Sequence, residues 1–280
     1  FESLLPEGYT RRCVAGWLHV DENDYISVLS ELGSECLGAI RIVEGDMNIK
    51  QSSYRLLSHE ELLEFAREGA TKSAELVIKS HLSLAGASGK TGLYYDRNNN
   101  EWYQPAGLAP STHILKQSHV RLKKIVANEQ LCLLTARKLG IRTPDSFIIN
   151  RQRQMCIRDS NPIEDQIRLW DLCIFNYLIG NTDNHVKNIA LLYSEDLKGI
   201  RLAPAYDLLS TVIYDSSTEK MSLNIDGEYD IRNINQKSFE NEAKKLGLGK
   251  GIAMQHFLSM VEKFEMALEQ STYELEEQGY

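Results

Sequence analysis

No run of apolar side chains in this chain reaches the ~20 residues that a membrane-spanning helix needs, so a helical bilayer span is excluded. No secretory leader is visible. Phe1 opens a segment already patterned for structure, so a fragment of a longer protein and a cytoplasmic setting are expected. Cysteine is sparse and scattered. Cys13, Cys36, Cys132, Cys156 and Cys173 form no CxxC pair, which argues against a zinc site or a disulfide framework and for reduced thiols. Basic residues are in deficit: 31 Lys and Arg face 39 Asp and Glu, giving a net charge of −8. Unaided nucleic-acid binding leans on phosphate neutralisation and is disfavoured by that balance, whereas contact with DNA through a partner is compatible with it. Internal repeats and low-complexity tracts are absent. What remains is an ordinary globular composition, 42% hydrophobic and 25% charged over 280 residues, enough for two modest domains or lobes.

One stretch organises the rest. Gly180-Asn-Thr-Asp-Asn-His-Val-Lys-Asn188 is a polar loop leaving an apolar helix, and Ala205-Tyr-Asp207 answers it after a strand-like run, a turn and another extended segment. Asp183 and Asn188 stand five residues apart. An enzyme that phosphorylates a hydroxyl needs this inventory: one carboxylate to orient the acceptor and take its proton, an amide oxygen and a second carboxylate to hold magnesium on the ATP phosphates. Protein kinases use the same Asp-x-x-x-x-Asn spacing with a later Asp for the metal. By itself the loop is read equally well as a capped turn, because Asn and Asp side chains cap nearby backbone groups and Gly is at home in turns.

Ahead of that loop the chain mixes short helices and strands. Tyr9 to His19 carries Cys13, Val14, Trp17 and Leu18 at helical spacing, and Ile26 to Leu32 repeats the pattern before Gly33. Cys36 to Val43 reads as a short strand. Ser58-His-Glu-Glu61 is a capping box for a helix over Leu62 to Arg67. Then comes His81-Leu-Ser-Leu-Ala-Gly-Ala-Ser-Gly-Lys-Thr91, whose small residues would let bare backbone N–H groups approach an anion. Its glycine spacing is not that of a Walker A motif, and a plain hairpin turn accounts for it as well. Strands are expected at Leu93–Tyr95 and Glu101–Gln104 around an Asp96–Asn100 turn, and at His113–Lys116. A helix from Ile125 to Leu139 carries Glu129 early and closes at Gly140. Lys116 and Glu129, 13 residues apart, match the strand Lys and helix Glu that position nucleotide phosphates in kinases. A surface Lys and a surface Glu is the competing reading.

Ser146 to Asn150 is expected to be a further strand, and beyond it the pattern turns mostly helical. Ser160 or Asn161 can cap a helix with Pro162 at its first position and Glu164 and Asp165 in its first turn. That helix, Ile163 to Ile179, is apolar nearly all round and is expected to lie centrally, delivering the Asp183 loop from a rigid base. Phe239 to Leu246 and Met254 to Glu269 are amphipathic helices, and the acidic tail Leu275 to Tyr280 is expected to fray.

These residues resemble the HipA-type serine/threonine kinases, the toxins of HipBA toxin–antitoxin modules. The resemblance runs through Phe1-Glu-Ser-Leu-Leu-Pro6, Leu29-Ser-Glu-Leu-Gly33 and Gly38-Ala39, through Ser83-Leu-Ala-Gly-Ala87 with Lys90-Thr91, through Thr112-His-Ile-Leu-Lys116, Asn128-Glu129 and Leu139-Gly140, and most specifically through Gly180 to Asn188 and Pro204 to Ser210. It implies an α+β, bilobal protein-kinase-like fold, with a mixed α/β N-terminal lobe and a mostly α-helical C-terminal lobe. The expected division is a helical N-terminal segment over 1–55, an N-lobe with a glycine-rich loop over 56–150, an anomalous linker over 151–162 and a helical C-lobe over 163–280. The resemblance further implies Asp183 as catalytic base with His185 and Lys187 in support, and Asn188 and Asp207 as magnesium ligands. Lys116, Gly86, Ala87, Ser88, Lys90 and Glu129 would serve ATP, and Ser83 would be the autophosphorylated serine. The implied partners are a HipB-like helix-turn-helix antitoxin, DNA only through that antitoxin, and a protein substrate, by resemblance an aminoacyl-tRNA synthetase. No membrane association is implied.

Two departures stand out. The small β-rich subdomain that opens such proteins does not lie within this sequence, which starts at Phe1. Where the family carries a longer stretch with a hinge, this chain has only Arg151-Gln-Arg-Gln-Met-Cys-Ile-Arg-Asp-Ser160, which fits neither neighbour and resembles a translated sequencing-adaptor fragment. A genuine short basic linker is the alternative. Because the hinge sets lobe separation, the active-site residues are expected to be present while turnover is impaired. Two other functions compete: a catalytically inactive module that represses its operon with an antitoxin, and a metal-dependent phosphohydrolase built on Asp183, His185 and Asp207.

Overall fold

The turn at Asp96–Asn100 closes a β-hairpin because Asp96 caps it, accepting from the Asn98 N–H at 2.9 Å and the Asn99 amide at 2.8 Å, while Asn100 adopts the left-handed φ of 57° that Asn tolerates. That hairpin lies in the first of two units, Phe1–Lys124 and Ile125–Tyr280. The computed structural model describes residues 8–32, 52–68, 90–106, 109–116, 124–146, 162–194 and 199–280. The Phe1–Pro6 entry, the Cys36–Val43 strand, the glycine-rich stretch ahead of Lys90, most of the Ser146–Asn150 strand and the Arg151–Ser160 decapeptide lie outside them.

The first unit contains helices α1 (Gly8–Leu18) and α2 (Tyr25–Leu32), strand β1 (Ser53–Leu56), helix α3 (His59–Glu68), and strands β2 (Lys90–Asp96), β3 (Glu101–Ala106) and β4 (His113–Lys116). Val14, Ala15 and Val28 supply buried contacts of α1 and α2, but Trp17, grouped with that face by spacing, is 57% exposed. Ser58 and Glu61 form the expected reciprocal cap: the Glu61 N–H donates to Ser58 Oγ at 3.1 Å and the Ser58 N–H to Glu61 Oε2 at 2.9 Å. The helix begins at His59, earlier than its apolar pattern, because capping rather than burial sets its start. The four strands pair antiparallel in the order β1-β3-β2-β4. Alternation sends Trp102 and Tyr95 to one face, where they stack at 4.5 Å, and Tyr54, Tyr94 and Tyr103 to the other.

The second unit contains α4 (Ile125–Lys138), α5 (Pro162–Leu178), hairpin β5–β6 (Leu191–Tyr193, Ile200–Leu202), hairpin β7–β8 (Lys220–Ile225, Glu228–Asp230), and helices α6 (Gln236–Lys245) and α7 (Lys250–Glu277). α5 is central, as its composition requires. Trp170, Leu172, Ile174 and Phe175 are buried and join Phe239 of α6 and Phe257 of α7 in one core. The Trp170 indole N–H donates to Ala253 O at 3.0 Å, which satisfies the only polar atom of that ring inside the core.

Two expectations need correction. The β7–β8 ribbon stands in a region read as helical, turning at Asp226 (φ 58°) and Gly227 (φ 85°). The tail expected to fray is helical to Glu277, because Ser271 and Leu275 are buried and the Ser271 hydroxyl is spent on Ala267 O at 2.7 Å.

Candidate active site

α5 ends at Leu178 and the chain turns at Gly180, where only glycine fits without strain. Its φ of 67° lies in the left-handed region, and a Cβ would collide with the Val212 side chain. The close approach lets one carbonyl gather three donors: Gly180 O accepts from Thr211 N (3.1 Å), Thr211 Oγ1 (2.9 Å) and Val212 N (3.2 Å). Thr211 Oγ1 in turn accepts the Thr182 N–H at 2.7 Å, and Thr182 O receives both the N–H and the hydroxyl of Ser222 at 2.9 and 3.1 Å. The loop leaving α5 is thereby stitched to the segment after Asp207 and to β7.

Asn181 is the second organiser. Only 2% exposed, it donates from Nδ2 to Asn176 Oδ1 at 2.9 Å and to Asp207 O at 3.5 Å, while its Oδ1 accepts the Asp183 N–H at 3.2 Å. One buried carboxamide therefore touches α5 and the backbones of both acidic residues. A buried amide with its groups satisfied rigidifies what it joins. Asn188 closes the loop from the other side, its Nδ2 donating to Asp183 O at 3.2 Å, and the Tyr206 hydroxyl holds Lys187 O at 3.0 Å. Asp207 adopts φ 60°, a left-handed conformation that Asp tolerates better than most residues and that still carries some strain.

The side chains divide by environment. Asp183 is 73% exposed, with His185 Nε2 3.9 Å from its Oδ1, and Lys187 is exposed as well. Behind the loop lies a cavity of about 20 Å³ whose polar wall includes Asn176, Asn181, Asn184, His185, Asn188 and Asp207. That volume suits an ion or one water. Among the described residues two buried atoms here have no hydrogen-bond partner, Asn184 Oδ1 and His185 Nδ1. Oxygen donors of this kind fit a hard cation such as Mg²⁺, which takes one or two protein oxygens and completes its shell with water and substrate phosphate. Cys173 also lines the cavity, and burial pushes its thiol up to about 11, so it contributes no thiolate. No group of three His, Cys, Asp or Glu that could hold a metal occurs among the described residues.

The nucleotide-side residues are placed separately. Lys116 ends β4 and lies in register with Lys90 at the start of β2, so the end of the glycine-rich stretch adjoins the strand lysine. Glu129 is half-buried on α4, in the other unit. Ser83, Gly86, Ala87 and Ser88 fall outside the described residues. Sequence reasoning missed Asn181, Thr211 and Ser222. Asn181 lies inside the motif that drew attention to Asp183, but nothing local distinguishes a bridging amide from a turn-forming one.

The architecture is that of an α+β, kinase-like protein, and comparison with known proteins agrees. The HipA N-terminal domain matches residues 1–43, and the HipA-like C-terminal domain matches residues 82–159 and 148–268. The chain belongs to the HipA family. A protein of Sinorhizobium fredii named "Putative kinase Y4mE" is 24% identical over 323 positions, covering 94% of this chain and 76% of that protein. The "Serine/threonine-protein kinase toxin HipA" of Shewanella oneidensis is 22% identical over 330 positions, covering 95% and 75%. A HipA chain solved in the complex of Shewanella oneidensis HipA, HipB and operator DNA superposes with a TM-score of 0.75 at 21% identity, covering 98% of this chain and 78% of that one, which speaks for the fold alone. No helix among the described residues is long and apolar enough to cross a membrane.

Proposed function

We propose that the protein is an ATP- and magnesium-dependent serine/threonine kinase of the HipA toxin type. The observation that carries the reading is the convergence of Asp183, Asn188 and Asp207 on one hydrogen-bonded unit, through the Asn188 amide on Asp183 O and the Asn181 amide between Asp183 N and Asp207 O. Asp183, open to a macromolecular acceptor, orients the substrate hydroxyl and accepts its proton as the new P–O bond forms and the bond to the ADP leaving group breaks. His185 flanks the carboxylate and Lys187 offers a charge beside it. Asn188 and Asp207 would hold the magnesium ion, which neutralises charge on the transferring phosphate when bound. Lys116 and Lys90, adjacent in register, together with Gly86, Ala87 and Ser88, would receive the ATP phosphates, and Glu129 is the acidic residue that the resemblance assigns to the strand lysine. Ser83 is the proposed autophosphorylation site. A HipB-like antitoxin is the proposed partner, supported by the neighbour solved with HipB and operator DNA. The net charge of −8 leaves DNA contact to that partner. An aminoacyl-tRNA synthetase is the proposed substrate by family resemblance.

A second reading, an inactive module acting with an antitoxin in repression, is favoured by one observation: the C-terminal domain matches in two stretches that meet at the decapeptide. Nucleotide binding separates the two. Saturating Mg-ATP should raise the melting temperature of the wild-type chain by a few degrees and leave Asp207→Ala unmoved. A wild-type chain indifferent to Mg-ATP would refute the kinase reading.

A further inference from the structure

Asp207 sits at φ 60°, in the left-handed region that Asp tolerates better than most residues but that still costs energy without local support. Its carbonyl accepts a 3.5 Å contact from Asn181, and the flanking residues are held as well. Upstream, the Ala205 N–H is tied to Arg142 O at 2.7 Å. Downstream, Asn128 takes hold of Ser210 by both of its backbone groups: the side-chain Nδ2 donates to Ser210 O at 2.8 Å and Oδ1 accepts the Ser210 N–H at 3.2 Å. The same amide nitrogen reaches the Tyr214 hydroxyl at 3.1 Å. Asn128 is buried at 9% exposure, 82 residues away in sequence, and stands on α4 immediately before Glu129. A planar carboxamide bonded to both backbone groups of one residue fixes orientation as well as distance. That is more than a single hydrogen bond does, and more than helix packing alone would need.

We infer that Asn128 is a positioning residue for Asp207: its two-point grip on Ser210 fixes where the segment carrying the metal-binding carboxylate lies against α4. The inference rests on the kinase reading and adds to it a residue that touches neither metal nor substrate. If the grip is lost, the segment gains a way to relax toward negative φ at Asp207, and its carboxylate loses its fixed place at the cavity that Asn188 also lines. The metal then suffers before the fold does.

The test measures the half-saturating Mg²⁺ for binding of a fluorescent ATP analogue to the full chain, alongside thermal unfolding. Asn128→Leu keeps the shape and removes the whole grip. Asn128→Asp keeps an acceptor for the Ser210 N–H and removes the donor. Trp170→Phe, which gives up the bond to Ala253 in the core, serves as a control for stability loss away from this segment. The Mg²⁺ requirement should rise about tenfold or more in Asn128→Leu, by less in Asn128→Asp, and not in Trp170→Phe, as expected for a partner that orients a metal ligand. An Asn128→Leu variant with the wild-type Mg²⁺ dependence, or one that shifts no more than Trp170→Phe, overturns the inference and leaves the kinase reading standing. A wild-type chain that binds no analogue at any Mg²⁺ concentration overturns both.

Discussion

The side-chain amide of Asn188 donates to the backbone carbonyl of Asp183 at 3.2 Å, so the residue proposed to hold metal also shapes the turn that presents the proposed base. The dual role makes Asn188→Asp informative. It keeps an oxygen for the cation but loses the N–H that Asp183 O accepts. Metal binding should survive while phosphoryl transfer falls, by about 100-fold if Asp183 shifts by about 1 Å. Mn²⁺ titration by electron paramagnetic resonance and a radiolabelled transfer assay on the same preparation check the two halves separately.

Asp183→Gln should leave metal and nucleotide binding intact, because Asp183 is exposed and its backbone N–H and carbonyl, which the substitution keeps, help hold the loop together. Phosphoryl transfer should drop by about two to four orders of magnitude, the usual worth of a positioned general base. A variant with undiminished transfer would remove Asp183 from the mechanism.

Gly180→Ala should destabilise the second unit. The added methyl meets Val212, and the left-handed φ of 67° is strained for alanine, a cost of about 1–3 kcal/mol. Adding Val212→Ala should recover the steric share and leave the backbone share. Urea unfolding of the single and double variants measures both.

Acid should weaken the β7–β8 ribbon in a defined window. Side-chain and backbone bonds to Arg232 hold the Asp230 carboxyl down to about 2 from its ordinary 3.8. A depressed folded-state value means stability present above the unfolded value and lost as pH falls through the folded one. Wild type should therefore exceed Asp230→Asn in stability above pH 3.8, with the gap narrowing as pH drops toward 2. Paired urea titrations from pH 6 downward check the sign.

Local signals carried the reading of this chain as far as local causes reach. Ser58 and Glu61 announced a reciprocal cap, Asp96 a turn, and the apolar run through Phe175 a central helix, each because the determinant lies within a few residues. The β7–β8 ribbon was legible too and was missed: Met221, Leu223 and Ile225 alternate ahead of Asp226-Gly227, a standard hairpin turn pair. Long-range amide bonds were not legible. Nothing near Asn128 indicates Ser210, and nothing near Asn181 indicates that its two ends reach the backbones of Asp183 and Asp207, since those pairings exist only once the helices have packed. The tail erred for the same reason, its order coming from Ser271 and Leu275 buried in the second unit rather than from its acidic composition.

The decapeptide Arg151–Ser160 yields the last prediction. The C-terminal domain match ends at residue 159 in its first stretch and restarts at residue 148 in its second, so the two stretches overlap across these residues instead of running through them. The alignment to the Sinorhizobium relative is 323 positions long although this chain has 280 residues, so that relative carries segments with no counterpart here. The first observation places a discontinuity where the sequence itself changes character, and the second is compatible with a missing stretch. Independent sequencing of the locus across this junction should recover a longer stretch in place of the ten codons. Restoring it should raise phosphoryl transfer far more than it raises metal binding, because Asn188 and Asp207 both follow the junction and are organised within the second unit. Recovery of the same ten codons from a new library would establish a genuine short linker and remove the deletion as a cause of weak activity.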